Sequence, residues 1–249
     1  MNSNKIINLV KFYQSIGVDY LAESMDIKQL NTPSVDSRVE KNMPKIEPPR
    51  STTLNLKSIN TLNELKEKLL NFDDCSLKKT AINTVFGAGD ESAEIMVIGE
   101  APGADEDEQG EPFVGRSGKL LMASLASVGL LREKIFITNT IFWRPPGNRN
   151  PTPEEMQLCY PFLARMIEII NPKMIIIVGK VATSDFIKGD MPISKMRGKW
   201  YNIDINNKGY LATIVFHPSY LLRNSSQKKA MWLDLLEIKD KIQSMEIKI

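Results

Sequence analysis

Four short stretches decide what this chain can become. "EIMVIGE" (94–100), "KIFITNT" (134–140), "KMIIIVGK" (173–180) and "LATIVFH" (211–217) are nearly continuous in apolarity and rich in β-branched residues. A strand with one face in water alternates apolar with polar residues. Strands without that alternation are buried on both faces, as in a parallel sheet covered by helices. Helical patterns lie between them, in "SGKLLMASLASVGLLRE" and "TPEEMQLCYPFLARMIEIINP". The second opens with Thr152, Pro153 and Glu155, a capping box with proline at the first helical position, and Pro161 is expected to bend it. The alternation predicts an α/β fold: a three-layer α/β/α sandwich around a central, mostly parallel sheet of about four strands.

The rest of the chain is less ordered in its pattern. Ile6, Leu9, Val10, Tyr13 and Ile16 share one helical face, which predicts a short helix near residues 4–23. "NTPSVDSRVEKNMPKIEPPRSTT" is polar and proline-bearing and reads as a linker. Residues 1–50 are therefore expected to be a helix plus flexible linker, and "TLNELKEKLLNF" a second amphipathic helix. A net charge of +2 is too mild to announce nucleic acid, so any such site must be a local patch. The two cysteines, Cys75 and Cys159, make no disulfide scaffold and suit a reducing, cytoplasmic compartment. No apolar run approaches the ~18 residues of a membrane span, and the N-terminus lacks the apolar core of a signal peptide.

In open parallel sheets ligands bind beyond the carboxyl ends of the strands. Glu100 and a glycine-rich stretch come after the first strand, Asn139 ends the second, Gly179-Lys180 ends the third and His217 ends the fourth. The stretch "GEAPGADEDEQGEPFVG" (99–115) holds six carboxylates and four glycines before the first base, Arg116. Such acidity is poor electrostatics for cradling a phosphate, and no Walker or dinucleotide fingerprint is present. That weakens a nucleotide-binding reading.

Three segments in order, "GEAPGADEDEQGEPFVGRSGKLL", "ITNTIFWRPPGNRNPTPEE" and "FHPSYLLR", resemble the family 4 uracil-DNA glycosylases. "VFGAGDESAEIMVIGEAPG" also fits that family's entry into its first strand, and the resemblance covers roughly residues 70–240. It implies a glycosylase domain over residues 51–249 that hydrolyses the N-glycosidic bond of deoxyuridine in single- or double-stranded DNA. A monomer is expected. It places Gly99, Ala101, Phe113, Asn139 and His217 at the uracil. Phe113 is the stacking surface and Asn139 presents an acceptor and a donor to the pyrimidine edge. His217, the only histidine, is the donor to a uracil oxygen. Glu100 and Glu106 are the candidates to orient water or stabilise the sugar cation, with Glu100 favoured. Asp105, Asp107, Glu108 and Glu111 read as a solvated surface turn.

Phosphate contacts must come from elsewhere. Arg116, Arg144, Arg197 and Arg223 are the DNA-binding candidates, and Lys119, Arg149, Lys180 and Lys199 are further cations. Leu221 and Leu222 either wedge into the stack or start a helix with buried leucines. Family 4 members usually carry a [4Fe–4S] cluster on four cysteines, and the corresponding positions here are Phe72, Cys75, Trp143 and Cys159. Two thiolates do not make that ligand set, so the expectation is that no cofactor is required and that Phe72 and Trp143 fill the space. A binding module of the same fold, holding uracil without cleaving, is the alternative to the enzyme.

Overall fold

A computed structural model describes Leu54 and residues 56–249. The expected N-terminal helix and linker lie outside the described residues. The first described helix, α1 (Leu62–Leu70), matches the second amphipathic pattern; Thr61 caps it by accepting from the Glu64 N–H. Leu62, Leu65 and Leu69 are its buried face.

The sheet has six strands rather than about four. The four expected ones are β2 (Ile95–Gly99), β3 (Phe136–Asn139), β4 (Met174–Val178) and β6 (Lys208–Val215). All four run parallel, in the order β3-β2-β4-β6. Each edge carries one antiparallel addition, β1 (Ala88–Gly89) on β3 and β5 (Trp200–Ile205) on β6. β1 is two residues long and has no side-chain pattern to read. β5 is a half-exposed edge strand joined to β6 by Asn206-Asn207, both at positive φ, as a two-residue type I′ hairpin turn requires.

Helices cover both faces, as a parallel sheet demands. Met96, Ile98, Ile175 and Ile177 point to one side, where they meet α1 and α4 (Pro153–Ile170). Ile95, Val97, Ile176 and Val178 point to the other, where they meet α3 (Arg116–Ala126), α7 (Pro218–Arg223) and α8 (Lys228–Ser244). Helix α4 has the expected capping box at Thr152 and Glu155, and runs as one helix through Pro161. The shorter helices are α2 (Ala104–Gln109), α5 (Lys180–Ser184) and α6 (Ile193–Met196). No described helix is long and apolar enough to cross a membrane.

The strand order fixes where a ligand can sit. The chain goes from β2 to β3 on one side, then crosses back to β4 on the other. The crossovers therefore part at the carboxyl ends of β2 and β4 and leave a crevice there.

Candidate active site

A cavity of about 710 Å³ opens at that crevice. Glu100, Asn139, Gly179 and His217, one from each parallel strand end, all line it.

A missing side chain lets two of its lining residues, Phe113 and Asn139, pack close together. Gly99 pairs with Asn139 across β2 and β3. A Cβ on Gly99 would collide with Asn139 Oδ1 on one side and with the Phe113 ring on the other. Residue 99 must be glycine because the Phe113 ring and the Asn139 amide both pack into the space its side chain would take. Asn139 is buried, and its amide makes no hydrogen bond to the described residues. Acceptor and donor are both left for a ligand.

Phe113 sits at φ +55, a left-handed conformation that costs a bulky residue of order 1–3 kcal/mol unless its surroundings enforce it. They do so from three sides. Arg132 donates to the Pro112 carbonyl at 2.7 Å. Gly118 in α3 lets the Phe113 backbone approach so closely that any Cβ there would strike it. Glu106 accepts from the N–H groups of Val114 at 3.0 Å and Gly115 at 2.8 Å.

Glu106 also accepts from the Gly103 N–H at 3.1 Å. Its carboxylate is therefore taken up by three backbone donors and joins the loop after β2 to the loop before α3. Glu100 differs. Its backbone carbonyl is held by Thr140 Oγ1 at 2.7 Å, but its carboxylate has no partner among the described residues. Burial raises its pKa above the ordinary carboxylate value. Of the two candidate carboxylates, Glu100 is the one left for chemistry, and Glu106 is a positioning residue.

The acidic run is a short helix rather than a surface turn. Asp105, Glu106 and Asp107 occupy the first turn of α2, where the helix dipole favours negative charge. Asp105, Glu108 and Glu111 are exposed, as expected. Asp107 is buried and accepts from the N–H groups of Ile82 at 2.8 Å and Asn83 at 3.2 Å, which corrects the reading of it as solvated.

His217 caps the N-terminus of α7. Its Nδ1 accepts from the Ser219 N–H at 3.2 Å, so the proton of the neutral ring is on Nε2. Burial, helped by the charge of Arg223, pulls its pKa down to about 4. Near pH 7 the ring is thus a neutral donor through Nε2. Its centroid lies 6.5 Å from that of Phe113.

The predicted DNA contacts divide. Arg116 and Arg223 line the cavity mouth and pair with no carboxylate among the described residues. Arg149 and Lys180 also line it, but Arg149 forms a bidentate pair with Glu155, at 2.8 and 2.6 Å, and Lys180 donates to the Met191 carbonyl at 2.8 Å. Arg197 is mostly buried and paired inward. It binds the buried Asp234 of α8 through two contacts of 2.7 and 2.5 Å and covers the Phe216 ring at 5.3 Å. Arg144 is half-buried, donating to Oδ1 of the exposed Asn148 at 2.7 Å with the buried Asp107 at 4.0 Å. Leu221 is buried with Phe216, Met231 and Trp232, and Leu222 is partly buried against the same cluster, which fits a helix start with inward-packed leucines. Tyr220, which sequence reasoning missed, is exposed and lines the cavity. The signal was its place one residue before a leucine that packs inward.

The four positions that resemble cluster ligands lie in an apolar corner. Phe72 packs edge-on against Phe162 at 5.1 Å, and buried Trp143 donates its indole N–H to Thr84 Oγ1 at 2.9 Å. Cys75 and Cys159 are free, buried and in contact. A hydrogen bond from Cys159 holds the Cys75 thiol down at about 7, and burial pushes Cys159 well above its usual value. Two aromatic rings and two thiols do not fit a four-thiolate cluster.

The fold and pocket define a family that comparison with known proteins identifies. Residues 86–236 match the model of the uracil DNA glycosylase superfamily. A type-4 uracil-DNA glycosylase of Archaeoglobus fulgidus is 43% identical over 167 residues, 65% of this chain and 83% of its own length. One from Saccharolobus solfataricus is 40% identical over 194 residues, 76% of this chain and 90% of its own. A DNA polymerase of Bacillus phage SP01 is 30% identical over 161 residues, 64% of this chain but 17% of the polymerase. The chain belongs to the uracil DNA glycosylase superfamily, and to the type-4 family within it.

Proposed function

We propose that this chain hydrolyses the N-glycosidic bond of deoxyuridine in DNA, releasing uracil and leaving an abasic site for base excision repair. The observation that carries the reading is one cavity lined together by the Phe113 ring, the unpaired Asn139 amide, the unpaired Glu100 carboxylate and His217. A pyrimidine turned out of the strand stacks on Phe113 and offers its edge to Asn139. As the C1′–N1 bond breaks, its electron pair moves onto the base. His217 donates a hydrogen bond to the uracil oxygen that gathers the charge, and its neutrality leaves no proton to lose at neutral pH. The sugar becomes cationic, and the unpaired Glu100 carboxylate both stabilises it and takes the proton of the water that adds at C1′.

Arg116 and Arg223 supply the phosphate contacts at the mouth. Two free thiols support a reducing, cytoplasmic setting. The apolar corner supports catalysis without an iron–sulfur cluster.

The test is a uracil-containing oligonucleotide, single-stranded and paired with guanine or adenine, treated with the protein and then with alkali. Strand cleavage at the uracil, and none at thymine in the same place, is expected. Tight binding of the uracil strand without release of the base would instead make this a binding module.

A further inference from the structure

With no fit for an iron–sulfur cluster, two buried thiols are left without a role. Cys75 and Cys159 belong to one core cluster, and both are free. They come from parts of the chain that meet only in the fold. Cys75 precedes the short 3₁₀ helix Ser76–Lys79 that follows α1, and Cys159 lies within α4.

Their surroundings make them unequal. Cys75 is buried, but Asp74 and Ser76 on either side of it are exposed. It therefore lies just beneath the surface, and the opening of one short turn uncovers it. The Leu77 and Lys78 N–H groups, with the Cys159 thiol, favour its thiolate. Cys159 lies deeper, and burial keeps it protonated. The charge of Asp185, just after α5, is felt at Cys159. Asp185 is 5% exposed, its Oδ2 has no partner among the described residues, and burial raises its pKa to about 7. A reactive thiol near the surface, a protonated thiol behind it and an unpaired carboxylate able to take a proton are the parts of a dithiol that closes on oxidation.

We propose that Cys75 and Cys159 are a redox pair: hydrogen peroxide oxidises Cys75, and Cys159 then closes a disulfide that staples the 3₁₀ segment to α4. The Cys75 thiolate attacks one peroxide oxygen. An S–O bond forms, the O–O bond breaks, and the departing hydroxide becomes water with the proton that Cys75 gave to solvent. Cys159 passes its proton to Asp185 and attacks the Cys75 sulfur. The S–S bond forms, the S–O bond breaks, and the second hydroxide becomes water with the proton held by Asp185. Two thiols lose two electrons and one peroxide gains them. Neither thiol lines the cavity, so uracil release is expected in both states.

The test is wild-type protein treated with a few equivalents of hydrogen peroxide, then unfolded and titrated for thiols. Both thiols should be lost, intact mass should fall by two hydrogens, and the peptides holding Cys75 and Cys159 should be joined until dithiothreitol is added. The bond closes a loop of about 85 residues, so the oxidised form should melt roughly 10 °C higher. Cys159→Ser should stop at a Cys75 sulfenic acid that dimedone traps, whereas Cys75→Ser should keep its Cys159 thiol under the same treatment. Asp185→Asn should slow closure severalfold, so that dimedone traps Cys75 there too. Two thiols that still titrate in the wild type, a bond that joins two chains, or an oxidised form that melts no higher overturns the proposal. Equally fast oxidation of Cys159 in Cys75→Ser overturns the order of attack, and unchanged closure in Asp185→Asn overturns the part given to that carboxylate.

Discussion

At the carboxyl edge of the sheet two polar side chains that line the cavity stand unpaired, whereas in the corner around Trp143 the indole and the two thiols are matched. The Glu100 carboxylate and the Asn139 amide have no partners among the described residues, and Phe113 is held in an unfavourable backbone conformation by three separate contacts. In the corner the Trp143 N–H reaches Thr84, the two thiols face each other, and rings fill the remainder. Unspent hydrogen-bonding capacity and enforced strain mark the region where a ligand completes the structure. Beside the corner two buried oxygens stay without a partner among the described residues, the Tyr160 hydroxyl next to Cys159 and Asp185 Oδ2, but they face no open cavity of the size found at the sheet edge.

The largest effect expected from this contrast is at His217. Alanine there should cut uracil release by a factor on the order of 10²–10³ in a single-turnover assay, as for a lost oxyanion donor. Asn139→Ala should also relax discrimination against cytosine, measured on paired uracil and cytosine substrates.

The two glutamates sharpen the comparison inside the pocket. Glu100→Gln should lower the rate by about 10² while the melting temperature stays put. Because His217 stays neutral down to about pH 4, an acidic limb above that pH belongs to a carboxylate. The rate should rise with pH through the raised pKa of Glu100, and the limb should vanish in Glu100→Gln. Glu106→Ala should move both readouts: it frees three backbone N–H groups, two of them beside Phe113, and lowers the melting temperature by several degrees at ~2–4 °C per kcal/mol. An unchanged melting temperature would return Glu106 to the chemistry.

Salt titrations separate the arginines. Arg116→Ala and Arg223→Ala should each reduce the slope of log affinity against log salt by about 1. Arg197→Ala should leave the slope alone and destabilise the fold by about 3–5 kcal/mol in urea, since it strands the buried Asp234.

The smallest effect is expected in the corner. Protein purified without oxygen should be colourless, and Cys75→Ala with Cys159→Ala should keep most uracil release. Brown protein with about four irons per chain would break the comparison outright.

Much of this was legible in the sequence. The four parallel strands announce themselves because burial on both faces leaves few polar residues in them, and Glu100, Asn139 and His217 stand out as the polar residues at the ends of those runs. The edge strands were not legible: β1 exists only through its pairing with β3, and β5 is half exposed, although Asn206-Asn207 was a readable turn. Misread side chains share one cause. Whether Arg197 meets DNA depends on Asp234, 37 positions later. Whether Leu221 or Tyr220 faces outward depends on the residue at which a six-residue helix begins. Asp107 was counted with its acidic neighbours, but one face of α2 turns it towards Ile82 and Asn83.

Because the cavity is gathered from four separate strand ends, it has no local precursor. Glu100 and Asn139 are far along the chain from His217, and α8, which holds Arg197 through Asp234, comes later still. During synthesis the parts that grip a base are made first and the donor that drives its departure last. A ribosome stalled before residue 217 releases a sheet without its donor, and catalysis begins only when the final crossover has closed.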